Sequence, residues 1–261
     1  MAWVFDVPLF VTGPLILALL LGFSLGGLAL FRKHLLPRLR FEQHEATFGA
    51  GMVSSVMVFY GLTMALISVN VWESYQEASN IASREATALN LLYRDVTSYP
   101  EPYRSQLQKS LADYTYYVIH EAWPAQRKGI VPSHGLDHMT YFQKMLTSFE
   151  PHTESQKIVA AEALRAYNGL IEVRRERLDS VGNHLPGMFW AIVIFGAVIS
   201  LTSAFFFPIV DPRVHAVQVG LLAVFIGLVI FVIVALDRPY RGDLGIPPSS
   251  YQLLYDQLMK R

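Results

Sequence analysis

Four stretches of this chain contain no Asp, Glu, Lys or Arg: roughly Leu9–Phe31, Ala50–Val71, Gly187–Phe207 and Val214–Leu236. At about 1.5 Å of rise per residue, a helix over any of them crosses the ~30 Å hydrocarbon layer of a bilayer. Lipid cannot hydrogen-bond a backbone, so runs this long and apolar are expected to be helices that satisfy their own N–H and C=O groups. They come as two pairs around a polar middle with helical spacing. The predicted fold is all-α: a polytopic membrane protein with four transmembrane helices in two pairs and an inserted soluble helical domain of about four helices. The expected division is 1–71 for the first pair, 72–185 for the helical domain, 186–236 for the second pair and 237–261 for a tail with a short amphipathic helix.

Charged residues make up 16% of the 261, and the formal net charge is zero. Soluble domains carry roughly a quarter, so the shortfall belongs to the spans. A neutral balance gives no basic patch for nucleic acid. Cysteine is absent, which excludes disulfides, thiolate metal sites and a cysteine nucleophile. The segment Met1–Asp6 lacks the basic start of a secretory signal, so the first stretch is expected to be retained as a span. Arg32, Lys33, Arg38 and Arg40 follow that span, which by the positive-inside rule puts their loop in the cytoplasm and the middle domain outside. Arg174, Arg175, Arg177, Arg238 and Arg241 on the other side oppose that bias.

In the first span, Gly22 and Gly26 lie four apart, a spacing that lets another helix approach closely. The second span holds a small-residue face (Thr47, Gly51, Ser54, Val58, Gly61, Ala65, Ser68) and a second stripe of Tyr60, Thr63, Ile67 and Asn70. Both faces can pack against neighbouring helices, or one can line a water-filled path when several copies surround an axis. No breaker separates this span from Ala78, Ile81, Ala82, Leu89, Leu92 and Val96, so one long helix is expected to leave the membrane and couple it mechanically to the soluble part. Pro100 ends it and Pro102 opens a helix to about Glu121 with Leu107, Leu111, Tyr114 and Val118 as its apolar stripe. A loop over 122–135, a helix over about 136–149, and a long helix from Thr153 with Ile158, Ala161, Leu164, Tyr167 and Ile171 inward complete the domain. After Pro247-Pro248, a short amphipathic helix over about 250–259 lies on the soluble domain or on the membrane surface.

No P-loop, dinucleotide fingerprint, HExxH or nucleophile elbow occurs, so no enzyme, cofactor or metal is expected. His134-Gly135-Leu136-Asp137-His138 reads as a surface turn at a helix start, with a metal or proton site as the alternative. Glu172 to Arg177 reads as a solvated, ion-paired face. Arg84, Glu85, Arg94 and Asp95 are either structural or charges at the mouth of a pore. The span cores carry no ionisable acid or Lys/Arg of the kind ion-coupled transporters place at membrane depth, whereas a passive pore needs only hydroxyls and apolar constrictions.

Several segments resemble the bacterial bestrophin-like domain family: Trp72 and Tyr75, Glu85-Ala86-Thr87-Ala88-Leu89-Asn90-Leu91-Leu92-Tyr93-Arg94, Pro100-Glu101-Pro102, Tyr114, Glu121-Ala122-Trp123-Pro124, and Asp237-Arg238-Pro239-Tyr240-Arg241-Gly242. The likeness runs from about Gly51 to Leu244. A more distant similarity links Phe59-Tyr60 to bestrophin channels, which are pentamers of four-span chains whose second span lines the pore. Ser55 and Gly51 stand where an aromatic neck is expected. The resemblance implies a homo-oligomer, a pentamer by that analogy, in the bacterial inner membrane, conducting small ions and with its middle domain in the cytoplasm, opposite to the charge rule. Ser54, Ser55, Phe59, Thr63 and Ile67 are the expected pore lining, with Arg84, Glu85 and Arg94 as mouth charges. The alternative function is a non-conducting scaffold or sensor whose middle domain binds a partner.

Overall fold

The computed structural model describes residues 8–38, 43–207 and 209–260. The N-terminal tail and Arg40 lie outside the described residues, as does the side chain of Thr47. All regular structure among the described residues is helical: α1 (Leu9–Leu30), α2 (Gln43–Asp95), α3 (Tyr103–Tyr117), α4 (Trp123–Gln126), α5 (Gly135–Ser148), α6 (Glu154–Ser180), α7 (Gly187–Ala204), α8 (Pro212–Leu236) and α9 (Ser249–Leu254). Helix α2 runs unbroken for 53 residues. The chain forms two compact units, one of Met1–Glu73 with His184–Asp237 and one of Ser74–Asn183 with Arg238–Arg261.

The first unit holds the four apolar helices, which makes this a multi-pass membrane protein. Helices α1 and α8 meet where side chains are smallest. A Cβ on Gly227 would come within 2.7 Å of Leu17 and one on Gly13 within 3.1 Å of Phe231; α1 also meets the end of α7, where one on Gly27 would come within 2.8 Å of Phe205. Ser24 donates to the Val219 carbonyl (3.3 Å) across the α1–α8 seam. Gly22 and Gly26, the pair expected to make the close approach, have nothing within 4 Å of a Cβ. The approach is made one residue round the helix instead. A loop cluster fixes the ends of these helices. Arg32 donates to the carbonyls of Ile209 (3.3 Å) and Val210 (3.0 Å) and to His215 Nδ1 (3.1 Å). Arginine only donates, so His215 carries its proton on Nε2, which donates to the Ala204 carbonyl (3.1 Å).

The second unit packs the remainder of α2 with α3, α5, α6 and the C-terminal segment around one apolar core. Its helices begin where carboxylates and hydroxyls satisfy the first free N–H groups. Glu101 accepts from the Ser105 amide (3.2 Å) and hydroxyl (2.7 Å) ahead of α3. Thr153 and Gln156 form a reciprocal capping box on α6. The expected α3 stripe is buried. In α6 the inward face is rotated from the expected one: Ile158 and Leu164 are exposed, while Ala163, Tyr167, Leu170, Arg174 and Arg177 point in. The segment after Glu121 is also not a loop at first, because a π-turn over Val118–Ala122 carries α3 into α4.

The C-terminal segment is part of this second unit. Trp123 is buried and donates through its indole N–H to the Ile246 carbonyl (2.8 Å). Tyr75 and Tyr93 donate to the carbonyls of Leu244 and Leu258, both at 3.0 Å. Gly245 seats the turn: a Cβ there would come within 2.7 Å of the Tyr240 carbonyl oxygen. Tyr251, Leu254 and Met259 then enter the core beside Trp123.

Candidate functional site

Helix α2 presents its inner face to α7 and α8 through Tyr60, Met64, Ile67 and Val71, spaced four, three and four apart. Tyr60 lies flat against Gly196, where any Cβ would collide, and donates to the Val193 carbonyl (3.0 Å). That anchors the rotation of the helix. The outward face is then set: Met52, Ser55, Phe59, Leu62 and Leu66 are exposed, Phe59 at 71%. In the most apolar stretch of α2 only 17% of residues are buried within the protomer. Lipid or further copies must cover the rest.

The expected lining residues do not all share this face. Ser55 and Phe59 lie on it, and Thr63 lies at its edge, half-buried. Ser55 and Thr63 return their hydroxyl protons to the carbonyls of Gly51 (3.0 Å) and Phe59 (2.8 Å), leaving oxygen lone pairs outward. Ile67 is only 5% exposed and belongs to the apolar cluster, because it lies two turns along the same face as Tyr60 and packs inward with it. Ser54 is exposed but sits about 140° from Phe59 at 100° per residue. It belongs with Gly61, Ala65 and Ser68 on the small-residue face. That face borders a groove of about 250 Å³ closed on its other sides by Ser200, Leu222, Phe225, Ile226 and Val229.

Of the three mouth charges, Arg84 and Arg94 are exposed. Arg84 pairs with Glu77 (3.2 Å) and Glu176 (2.9 Å) along a shallow polar groove with Asn80, Ser83 and Thr87. Glu85 is 0% exposed and is no solvent-facing charge. It accepts from Arg177 through Nε (2.5 Å) and Nη2 (3.4 Å) and from the Tyr114 hydroxyl (2.9 Å). Arg177 also donates to Gln126 (2.8 Å), and its guanidinium lies over the rings of Trp123 (5.4 Å) and Tyr251 (5.9 Å). Burial lowers the Arg177 guanidinium most, but the Glu85 carboxylate together with the Tyr251 and Tyr114 phenols holds it well above its ordinary value. Burial and the same carboxylate push the Tyr251 and Tyr114 phenols up.

Sequence reasoning placed Arg174 and Arg177 on a solvated face; both are buried. Alternating charge in a helix was the signal, and it carries no information about which arginine points inward. Of the possible metal group, His134 and Asp137 are exposed while His138 packs on Tyr117 with ring centroids 5.1 Å apart. Among the described residues no three His, Asp or Glu are placed to hold a metal.

Residues 18–251 match the Bestrophin-like domain family. The chain belongs to that family. No curated protein matches it. Solved structures share the fold at low identity. A crystallised membrane protein superposes with a TM-score of 0.70 at 9% identity, covering 95% of this chain and 97% of its own. A point variant of a bacterial bestrophin homologue from Klebsiella pneumoniae gives 0.70 at 9%, covering 95% and 98%. A second point variant of a bestrophin homologue from Klebsiella pneumoniae gives 0.66 at 10%, covering 94% and 98%. The fold described above is thus shared with these solved structures.

Proposed function

We propose that copies of this chain assemble around an axis in a bacterial inner membrane and conduct small ions along the outward face of α2. One observation carries the reading: Ser55, Phe59, Leu62 and Leu66, with Thr63 at the edge, form an unpartnered face on the span that is otherwise anchored by Tyr60. Four spans are too few to enclose a path alone, so closed symmetry must supply the remaining wall. The face mixes outward hydroxyl oxygens with an aromatic and two leucines. Hydroxyls tolerate passing ions, and an apolar constriction at Phe59 gates by dewetting.

Family membership and the shared fold with bestrophin homologues support a channel over a transporter, as does the lack of any acid, Lys or Arg in the span cores. Arg84 and Arg94 bias the mouth; Glu85, neutralised by Arg177, does not. The groove bordered by Gly61, Ala65 and Ser68 takes an apolar side chain of the neighbouring copy. By family analogy the assembly is a pentamer. Planar-bilayer recording of the purified protein tests this: discrete conductance is expected, and Phe59→Ala should raise the unitary current. No conductance above empty lipid at either polarity ends the proposal.

A further inference from the structure

Ser200 differs from its hydroxyl-bearing neighbours in the spans. Ser55, Thr63 and Ser68 return their protons to the carbonyl four residues back, at 3.0, 2.8 and 2.8 Å, and Tyr60 donates to the Val193 carbonyl. Ser200 is 1% exposed, yet its Oγ has no hydrogen-bond partner among the described residues. Burying a hydroxyl without a partner is unfavourable, so its acceptor is to be sought outside the protomer. An acceptor can reach it through the groove between α2, α7 and α8, a space of about 250 Å³ that Ser200 lines. A cavity of about 150 Å³ holds a benzene ring. One apolar side chain entering past Gly61, Ala65 and Ser68 therefore leaves room beside Ser200.

The groove has a polar end and an apolar run. Val219 shares an apolar cluster with Ala204, so the end of α7 is level with that part of α8. Ser200 lies four residues inside the end of α7, about 6 Å. That brings it level with Leu222, where the α8 wall of the groove begins. Phe225, Ile226 and Val229 carry this wall about 10 Å deeper into the membrane. Gln218 is exposed and stands above the wall on the same helix face, since 218, 222, 225 and 229 are four, three and four apart. No Lys, Arg, Asp or Glu lines the groove.

We propose that the groove binds one acyl chain of a membrane phospholipid, whose ester carbonyl accepts from the Ser200 hydroxyl. The alkyl chain then runs down past Phe225, Ile226 and Val229, and the glycerol end emerges beside Gln218. Amide, hydroxyl and hydrocarbon follow one another down the groove in the order of polarity of such a lipid. An ester fits better than a free carboxylate, because a carboxylate at this depth needs a cation and the groove lining holds none. The site is built within one protomer, so it stands whether or not copies assemble and conduct.

The test photolabels the intact protein in detergent micelles with a phosphatidylethanolamine carrying a diazirine on one acyl chain. Label is expected on peptides covering 57–68 and 222–229, and unlabelled diester lipid should displace it. The diether lipid with the same chains lacks the carbonyl and should compete about fivefold less well, the effect of one neutral hydrogen bond. Ser200→Ala should weaken the diester to the diether level and leave the diether unchanged. A serine that only shaped the wall would shift both lipids alike. Label spread evenly over all four spans would overturn the proposal, as would diester and diether competing equally against the parent protein. So would a diester preference that survives Ser200→Ala, or oleate displacing the probe more strongly than the phospholipid does.

Discussion

Removing the Glu85 carboxylate should unfold the helical unit more readily than any surface change, and the structure gives the size. Glu85 accepts three hydrogen bonds, two from Arg177 and one from Tyr114, at 0% exposure. In Glu85→Ala the Arg177 charge, itself 1% exposed, keeps only Gln126 and the faces of Trp123 and Tyr251. A desolvated cation on an aromatic face recovers about 2 kcal/mol. The Tyr114 O–H, left without its acceptor while its oxygen still accepts from Arg174, costs about 1–3 kcal/mol, and truncating one side of a buried pair costs about 3–5 kcal/mol altogether. That is a large share of the roughly 5–15 kcal/mol by which a domain is stable. Glu85→Gln keeps an acceptor for Tyr114 but not the charge, so it should lose less. The double variant Glu85→Gln with Arg177→Met removes both charges and should be more stable than Glu85→Gln alone. Pulse proteolysis of the intact protein across a urea series, with the fragments mapped by mass spectrometry, reads the stability of this unit. A Glu85→Ala protein within about 0.5 kcal/mol of the parent, the range of ordinary surface changes, would refute the reasoning.

Alkaline pH should open the same unit. Burial pushes the Tyr99 phenol up to about 12 and raises those of Tyr240, Tyr251 and Tyr114. A folded-state pKa above the unfolded value of about 10 means the stabilisation is complete below about pH 10. It is lost as pH rises through the folded values, so helicity and phenolate absorbance should change together above that point. Ionisation of all 13 tyrosines by about pH 10 with helicity intact would contradict this. In the spans, Gly227→Val drives a branched side chain into Leu17, and overpacking of this kind costs about 1–3 kcal/mol. Gly22→Ala, with open space around it, should leave thermal stability in detergent unchanged; the reverse order would show that α1 and α8 pack by a different seam.

How much of this was legible follows from what each signal depends on. The spans were, because charge-free length is a local property that lipid enforces residue by residue. The long α2 was too, since no Pro interrupts its periodicity from Gly51 to Asp95 and Gly61 is the one glycine inside that stretch. Rotation about a helix axis was not. Ile67 and Phe59 are equally apolar, and only the contact of Tyr60 with Gly196 on α7 decides which of them points outward. Gly22 and Gly26 had the right spacing, but Gly13 and Gly27 face the bulky side chains of α8 and of the segment after α7. The face of α6 was misjudged because arginine counts as solvated in any amphipathic pattern. Arg177 turns inward only because Glu85, distant in sequence, meets it there. The docking of the C-terminal segment rests on the Trp123 indole reaching the Ile246 carbonyl, which no local pattern announces.

The chain's lack of cysteine permits the most direct test of the pore. Single cysteines placed along α2 can be challenged with a charged thiol reagent during bilayer recording. Current should fall when the cysteine replaces Ser55, Phe59, Leu62 or Leu66, and should be insensitive at Tyr60, Met64 and Ile67. Block at the second set with none at the first would show that another surface carries the ions.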